Sequence, residues 1–271
     1  MEWPKLKNII LFILVLTNLG LLAFVASREL QNSRQQQQTR QAAIQYLADR
    51  EITVAEAQVP DEMSLMPQTA KRDLQQEADL AARLLGKDLQ EENRGAGVYR
   101  YFNDNGFIQF HGDGAIQAQF APGLFPVGED RAQACLQVLE QLEFEGVLLR
   151  EEGDQLIFCQ QWEGQPLFTQ QVTLEVTEGS VAAIPTGRHL VGEPVEDASR
   201  STISVSTALI RFYNGINSLG DVCSRIDSIA PGYGATPALS GPMTLTPVWR
   251  ITTDTRTYQL DLVSGTLARV A

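Results

Sequence analysis

From Asn8 to Ala26 the chain carries no charged side chain. A stretch of about 19 residues at ~1.5 Å rise spans most of a ~30 Å hydrocarbon core. The segment predicts a membrane helix over 8–26, preceded by a short cytoplasmic tail, 1–7, and followed by everything else. Two other readings stay open, a cleaved signal peptide and a buried core helix. Val25-Ala26-Ser27 after the basic Lys5 and Lys7 would pass as a small-residue cleavage site. The apolar run is longer than the ~7 to 15 residues of a signal-peptide core, which favours a retained anchor. Lys5 and Lys7 before the span compete with Arg28, Arg34 and Arg40 after it. A short tail is easily left inside while a long domain crosses regardless of its charge, so the expected orientation is amino-terminus in, carboxy-terminal part out. Within the span Thr17, Gly20, Ala23 and Ser27 follow helical spacing and form a shallow stripe where a second helix can approach. Asn18 lies on another side, and its amide is either a contact to a partner helix or a group that bonds back onto its own backbone.

Net charge is −12, and from Glu51 onward 30 acidic residues stand against 15 basic ones. Such a field repels nucleic acid and anionic lipid surfaces, so no nucleic-acid partner is expected. The three cysteines, Cys135, Cys159 and Cys223, have no CxxC or CxxH spacing and allow one bridge at most. Cys135 falls in the apolar stripe of Ala132, Leu139 and Leu142, which reads as a small buried thiol. A Cys135–Cys159 pair is left open.

Residues 27–50, with the glutamine run Gln35 to Gln38, read as a helical stalk. Beyond it the order of a helix followed by antiparallel strands occurs three times, with helices expected from Thr69 to Gly86, Glu129 to Glu143 and Ser201 to Asn217. Turn residues punctuate the strands: Asn103-Asp104-Asn105-Gly106, Gly112-Asp113-Gly114, Glu178-Gly179 and Ser264-Gly265. Pro122, Gly123, Pro126 and Gly128 mark a domain boundary, giving a first α+β subdomain over 51–122 and a second α+β region with two helix-sheet units over 123–271. The expected fold class is therefore α+β, segregated helices covering curved antiparallel sheets, behind a transmembrane helix and stalk.

Motifs for chemistry are scarce. His111 and His189 are the only histidines, and they leave little material for a metal site or a catalytic triad. His111-Gly112-Asp113-Gly114 reads as a turn after a strand. The paired carboxylates Glu151-Glu152 and Glu143 with Glu145 sit beside glycines, as solvated turn residues do. Gly95-Ala96-Gly97 lacks the frame of a nucleotide-binding loop. No enzyme, cofactor or metal is expected. Trp162, Tyr213, Tyr233 and Trp249 are candidate interface aromatics, although Trp249 alternates with Pro247 and Ile251 as a core residue would.

Three stretches together resemble a known family. The start Met1-Glu2-Trp3-Pro4-Lys5-Leu6-Lys7-Asn8-Ile9, running into the span, is similar to the YycI regulatory proteins of Gram-positive bacteria, relatives of YycH. Gln165-Pro166-Leu167-Phe168, Thr173-Leu174-Glu175-Val176, Gly179-Ser180-Val181 and His189-Leu190-Val191-Gly192 resemble that family's middle strands. Pro247-Val248-Trp249-Arg250-Ile251, Tyr258-Gln259-Leu260-Asp261 and Ser264-Gly265 resemble its closing hairpin, with Arg256 and Gln259 where the family usually carries a Gly and a further aromatic. The resemblance implies a protein held in the cytoplasmic membrane bilayer, partnered by a YycH-type membrane protein and by the sensor histidine kinase of the WalK/WalR (YycG/YycF) system. Thr17, Asn18, Gly20 and Ala23 are then the expected contacts to partner helices. A binding or inhibitor domain, chaperone-like and acting through a sheet edge, is the second expectation. A wall hydrolase or ligand-binding domain would require a pocket with convergent polar groups.

Overall fold

The computed structural model describes residues 3–61, 63–237 and 241–270, with side chains described for all of these except 3–11, 23, 26, 29, 30, 32 and 33. One helix, α1 (Trp3–Ala48), runs unbroken from the apolar segment through the glutamine run. The expected span and stalk are therefore parts of a single rod. Large apolar side chains from Phe12 to Val25 are exposed. Among the described residues no helix is long and apolar enough to cross a membrane; the side chains of 8–11, 23 and 26, within the expected span, lie outside those described.

After α1 come two short strands, β1 (Thr53–Val54) and β2 (Gln68–Ala70). The first helix–strand unit follows: α2 (Leu74–Leu85), then β3 (Gln90–Gly95), β4 (Val98–Asn103), β5 (Gly106–Phe110) and β6 (Ala115–Phe120). The second repeats the order with α3 (Arg131–Gln141), β7 (Gly146–Glu152), β8 (Gln155–Trp162), β9 (Gln165–Thr177) and β10 (Ser180–Arg188). Strand β11 (Pro194–Glu196) leads to the third: α4 (Val205–Leu219), β12 (Arg225–Thr236), β13 (Met243–Thr253), β14 (Thr257–Asp261) and β15 (Leu267–Arg269).

The helices start where a side chain can close the free amides. Asp73 accepts from Gln75 and Gln76, Asp130 from Gln133, and Ser204 from Thr207. The expected start of α2 at Thr69 is corrected by this cap. Thr69 instead pairs with Val195 and Thr244 inside β2, and Leu74, expected in the core, is 41% exposed. At Glu163-Gly164 and Glu178-Gly179 both turn residues take positive φ, the backbone twist that joins two antiparallel strands tightly. Glycine supplies the second position without a Cβ penalty.

The first two units form one lobe. Each is an antiparallel meander, and their last strands, β6 and β10, pair antiparallel, giving the order β3-β4-β5-β6-β10-β9-β8-β7. Helices α2 and α3 cover the same side and share one core with Leu80, Leu84, Cys135, Leu139, Phe110 and Phe158. The boundary expected at 122/123 is thus bridged by sheet pairing and by a common core; its Pro and Gly residues mark a sharp connection inside a lobe. The second lobe contains α4, the end of α1, and β1, β2 and β11 to β15 around Trp249, Tyr258 and Phe212. The lobes meet where β12 touches β9 in parallel at Tyr233 and Leu167, beside a small cluster that includes Leu65, Leu190 and Leu245.

Candidate functional site

Two features stand out as places where this fold can act: the clamp that ties α1 to the second lobe, and a cleft along the seam between the lobes. At the clamp α1 turns from an exposed rod into a packed element. Ala43 and Leu47 are buried against the core of α4. Tyr46 meets Tyr213 edge to face at 5.7 Å, and the Arg50 guanidinium lies 3.5 Å over the Tyr46 ring. Arg40 is the pin. Its Nη2 donates to the carbonyls of Glu56 and Val59 at 2.6 and 2.7 Å, while Nη1 faces the Asp61 carboxylate at 3.1 Å. A buried guanidinium with these partners fixes both the azimuth and the axial position of the helix.

The seam is built from segments distant in sequence. Gln160 of β8 makes a paired contact with the backbone of Leu190, accepting from its N at 2.8 Å and donating to its O at 3.2 Å. The backbone N of His189 donates to the Gly114 carbonyl at 2.8 Å. These bonds hold His189 between two recesses, one against the Arg72–Glu77 pair and Met243, the other a cleft of about 320 Å³ against Gln76, Glu143 and Trp162. Its imidazole is 1% exposed, packs 5.6 Å from the Phe144 ring, and has no hydrogen-bond partner at either nitrogen. Burial pushes its pKa down to about 4, against the pull of the Glu143 charge. His189 is thus neutral at physiological pH.

Glu77, also buried, is held by two bonds from Arg72 at 2.6 and 2.8 Å. Burial raises its carboxyl above the usual range, with Arg72 acting in the opposite sense. Among the described residues no serine, cysteine or lysine lines the larger cleft. Among the described residues no three His, Cys, Asp or Glu side chains are gathered as metal ligands.

The family model of the YycI protein matches residues 30–263. The chain belongs to the YycI family. That family is regulatory and non-enzymatic, and its membership makes this chain a regulator in the YycG/WalK two-component system. No curated protein matches this YycI-family chain. Among solved structures it is similar to an uncharacterized protein from Eubacterium rectale, at 11% identity and a TM-score of 0.42, covering 81% of this chain and 90% of that one. It is also similar to the YpeB C-terminal domain of Bacillus megaterium, at 12% identity and a TM-score of 0.38, covering 74% of this chain and 99% of that one.

The candidate contact residues of this YycI-family protein all lie on α1. The Thr17 hydroxyl donates to the Ile13 carbonyl and the Asn18 amide to the Leu14 carbonyl, both at 2.8 Å. A Cβ added at Gly20 would meet nothing within 4 Å, and the side chain of Ala23 lies outside those described. At about 100° per residue, Thr17, Gly20 and Ala23 share one side and Asn18 faces away from it. Of the candidate aromatics, Trp249 and Tyr233 are buried, Tyr213 belongs to the clamp and Trp162 to the seam. Cys135, Cys159 and Cys223 are free thiols, each pushed up to about 11 chiefly by burial. Asp113 and Gly114 close the turn between β5 and β6, with the Asp113 carboxylate accepting from Ala115. Sequence reasoning missed Arg40 and the seam around His189. An arginine isolated among stalk glutamines was the available signal for the first; the second has none that is local.

Proposed function

We propose that the chain is a membrane-anchored, non-enzymatic regulator of a WalK/YycG-type sensor histidine kinase, acting with a YycH-type membrane protein. Its amino-terminus lies in the cytoplasm and both lobes lie outside. The observation that carries this reading is the continuity of α1: one helix bears the exposed apolar side chains of 12–25 and ends pinned into the second lobe at Arg40. A helix without a break transmits rotation and axial shift. The lobes therefore set the azimuth at which Thr17, Gly20 and Asn18 face neighbouring helices. Those ten large apolar side chains, 48–71% exposed along one rod, have a natural solvent in lipid.

Photo-crosslinking in cells from Leu16, Asn18 and Gly20 tests the reading. Capture of a sensor kinase and a YycH-type protein is the expected result, with loss of capture when the span is replaced by polyleucine. A mature protein cleaved after Ser27 and free of the membrane would overturn it. One observation favours the second reading, a sheet-edge binding domain. Edge strand β7 exposes Val147, Leu148 and Leu149 at 44%, 37% and 46%, a row onto which an extended segment can add. Release after Ser27 with retained binding through β7 would distinguish it.

A further inference from the structure

We propose that the face of the first-lobe sheet turned away from α2 and α3 docks an acidic, extended segment of a partner polypeptide. The inference is independent of the kinase-regulator reading and rests on a groove in that face. Val172 and Leu174 of β9 belong to the core that α2 and α3 cover, so the alternation of a strand puts Gln171 and Thr173 on the opposite side. There the register aligns Arg150 of β7, Ile157 of β8, Thr173 of β9 and Thr186 of β10 in one transverse row. Together with Arg188, two residues further along β10, they line a groove of about 640 Å³. Thr169 and Ala235, also in the lining, join it to the second lobe. The Thr169 hydroxyl accepts from the Ala235 N at 2.8 Å and donates to the Ala235 carbonyl at 3.2 Å.

Charge selects the occupant. The chain carries 33 acidic against 21 basic residues, yet among the described residues this groove is lined by two arginines and by no carboxylate. Arg150 and Arg188 pair with Glu152 at 2.8 Å and with Asp113 at 3.4 Å. Both partners lie outside the lining, as does Glu175 on the same face of β9. Exposed pairs of this kind hold weakly and exchange for a better-placed carboxylate. A third guanidinium stands beside the groove unanswered. Arg250 lies 4.0 Å over the ring of Phe168, itself part of the lining. Its Nε is buried without a partner, and no carboxylate lies within ion-pair distance of it among the described residues. Burial pulls the pKa of this guanidinium down from its usual value, the mark of a cation that has lost water and gained no anion.

The spacing and the apolar residues favour a polypeptide over an inorganic polyanion. Neighbouring strands lie about 4.8 Å apart, which puts roughly 14 Å between the β7 and β10 ends of the row. An extended chain rises about 3.3 Å per residue, so carboxylates at positions i and i+4 reach the arginines at both ends. Each guanidinium fork can take a carboxylate in two parallel bonds. Val147, opposite Cys159 and therefore on the same face, is exposed, and Ile157 lies in the lining. A segment with apolar side chains between its carboxylates covers both; a polyphosphate gains nothing from either.

The test uses the full chain in detergent micelles at low ionic strength. Acetyl-Glu-Val-Glu-Val-Glu-amide is the acidic segment, acetyl-Gln-Val-Gln-Val-Gln-amide the neutral control, and tripolyphosphate the competing anion. Calorimetry is read together with the backbone amide resonances of Thr173 and Thr186. The expected result is saturable binding of the acidic peptide with shifts of both resonances, and binding of the neutral peptide at least about tenfold weaker. The double variant Arg150→Gln/Arg188→Gln changes largely exposed side chains and should lose about tenfold or more in affinity with an unchanged melting temperature. Arg83→Gln/Arg94→Gln removes the same charge outside the lining and should bind as wild type does. No saturation by about 10 mM, equal binding of the neutral peptide, unaltered affinity in the groove variant, or an equal loss in the control variant each overturns the site. Tighter binding of tripolyphosphate than of the acidic peptide overturns the polypeptide as its occupant.

Discussion

Lowering the pH from 7 to 5 titrates one group of the seam in the unfolded chain and leaves it untouched in the folded one. The sign follows from the direction of the His189 shift. Its pKa falls from 6.5 to about 4 on folding because burial disfavours the charged ring. The unfolded state therefore binds the proton that the folded state refuses, and stability contributed by the neutral ring is lost as pH falls from 6.5 toward 4. At pH 5 the unfolded form is favoured by a factor of about 30, against little more than one at pH 7, so the differential is about 2 kcal/mol. Glu77 opposes this, since its raised pKa favours the folded state as pH falls. The carboxyls of Asp221 and Asp254 are lowered from the usual 3.8, so their contribution changes only below that pH, outside the window. His189→Gln isolates the imidazole from these terms. Urea unfolding of wild type and variant, each at both pH values, should show wild type losing about 2 kcal/mol more than His189→Gln between pH 7 and 5. The His189 Hε1 resonance of the native protein should stay fixed down to pH 5. A difference between the two proteins under about 0.5 kcal/mol, or a native titration near 6.5, would refute the claim that the ring is sealed from water.

Inserting one to four alanines after Gln37 turns the span relative to the lobes by about 100° per residue, so kinase output in cells should oscillate and return near wild type at four; a flat response would mean that the stalk does not transmit rotation. Arg40→Met removes the two carbonyl bonds at 2.6 and 2.7 Å and should cost about 2 to 4 kcal/mol by urea unfolding, because buried acceptors are left unpaired. Gly215→Ala sets a Cβ 2.5 Å from that of Leu267. It should destabilise by about 1 to 3 kcal/mol, although alanine is the better helix former at an interior position.

What the sequence disclosed was local. The three helix–strand units announce themselves through apolar spacing and through turn residues close to each element, such as Glu178-Gly179 between β9 and β10; the caps Asp130 and Ser204 move the expected starts of α3 and α4 from Glu129 and Ser201 to Arg131 and Val205. Cys135 reads correctly as a buried thiol because the residues that bury it recur at helical spacing. Strand β3 was invisible, since Gln90 to Gly95 is exposed throughout and shows no alternation. Thr69 reads as a helix start and not as a strand residue because its partners, Val195 and Thr244, are more than a hundred residues away. The seam failed for the same reason. Gly114, Gln160 and Leu190 meet around His189 through pairings that no short window contains.

Placement of the seam and the clamp bears on how the molecule can signal. The end of α1 packs into the core of the second lobe, and the first lobe reaches it through the β9–β12 contact and the small cluster around Leu65 and Leu190. Leu190 belongs to that cluster and is also the residue whose backbone Gln160 grips beside His189. Whatever changes the packing of His189 therefore acts on a segment shared by the cleft and the interlobe contact. A ligand can shift such an equilibrium only by its difference in affinity for two arrangements. A cleft that shares Leu190 and Trp162 with the interlobe cluster is where that difference can arise; a surface on β3, exposed throughout and outside the lining of the cleft, is not.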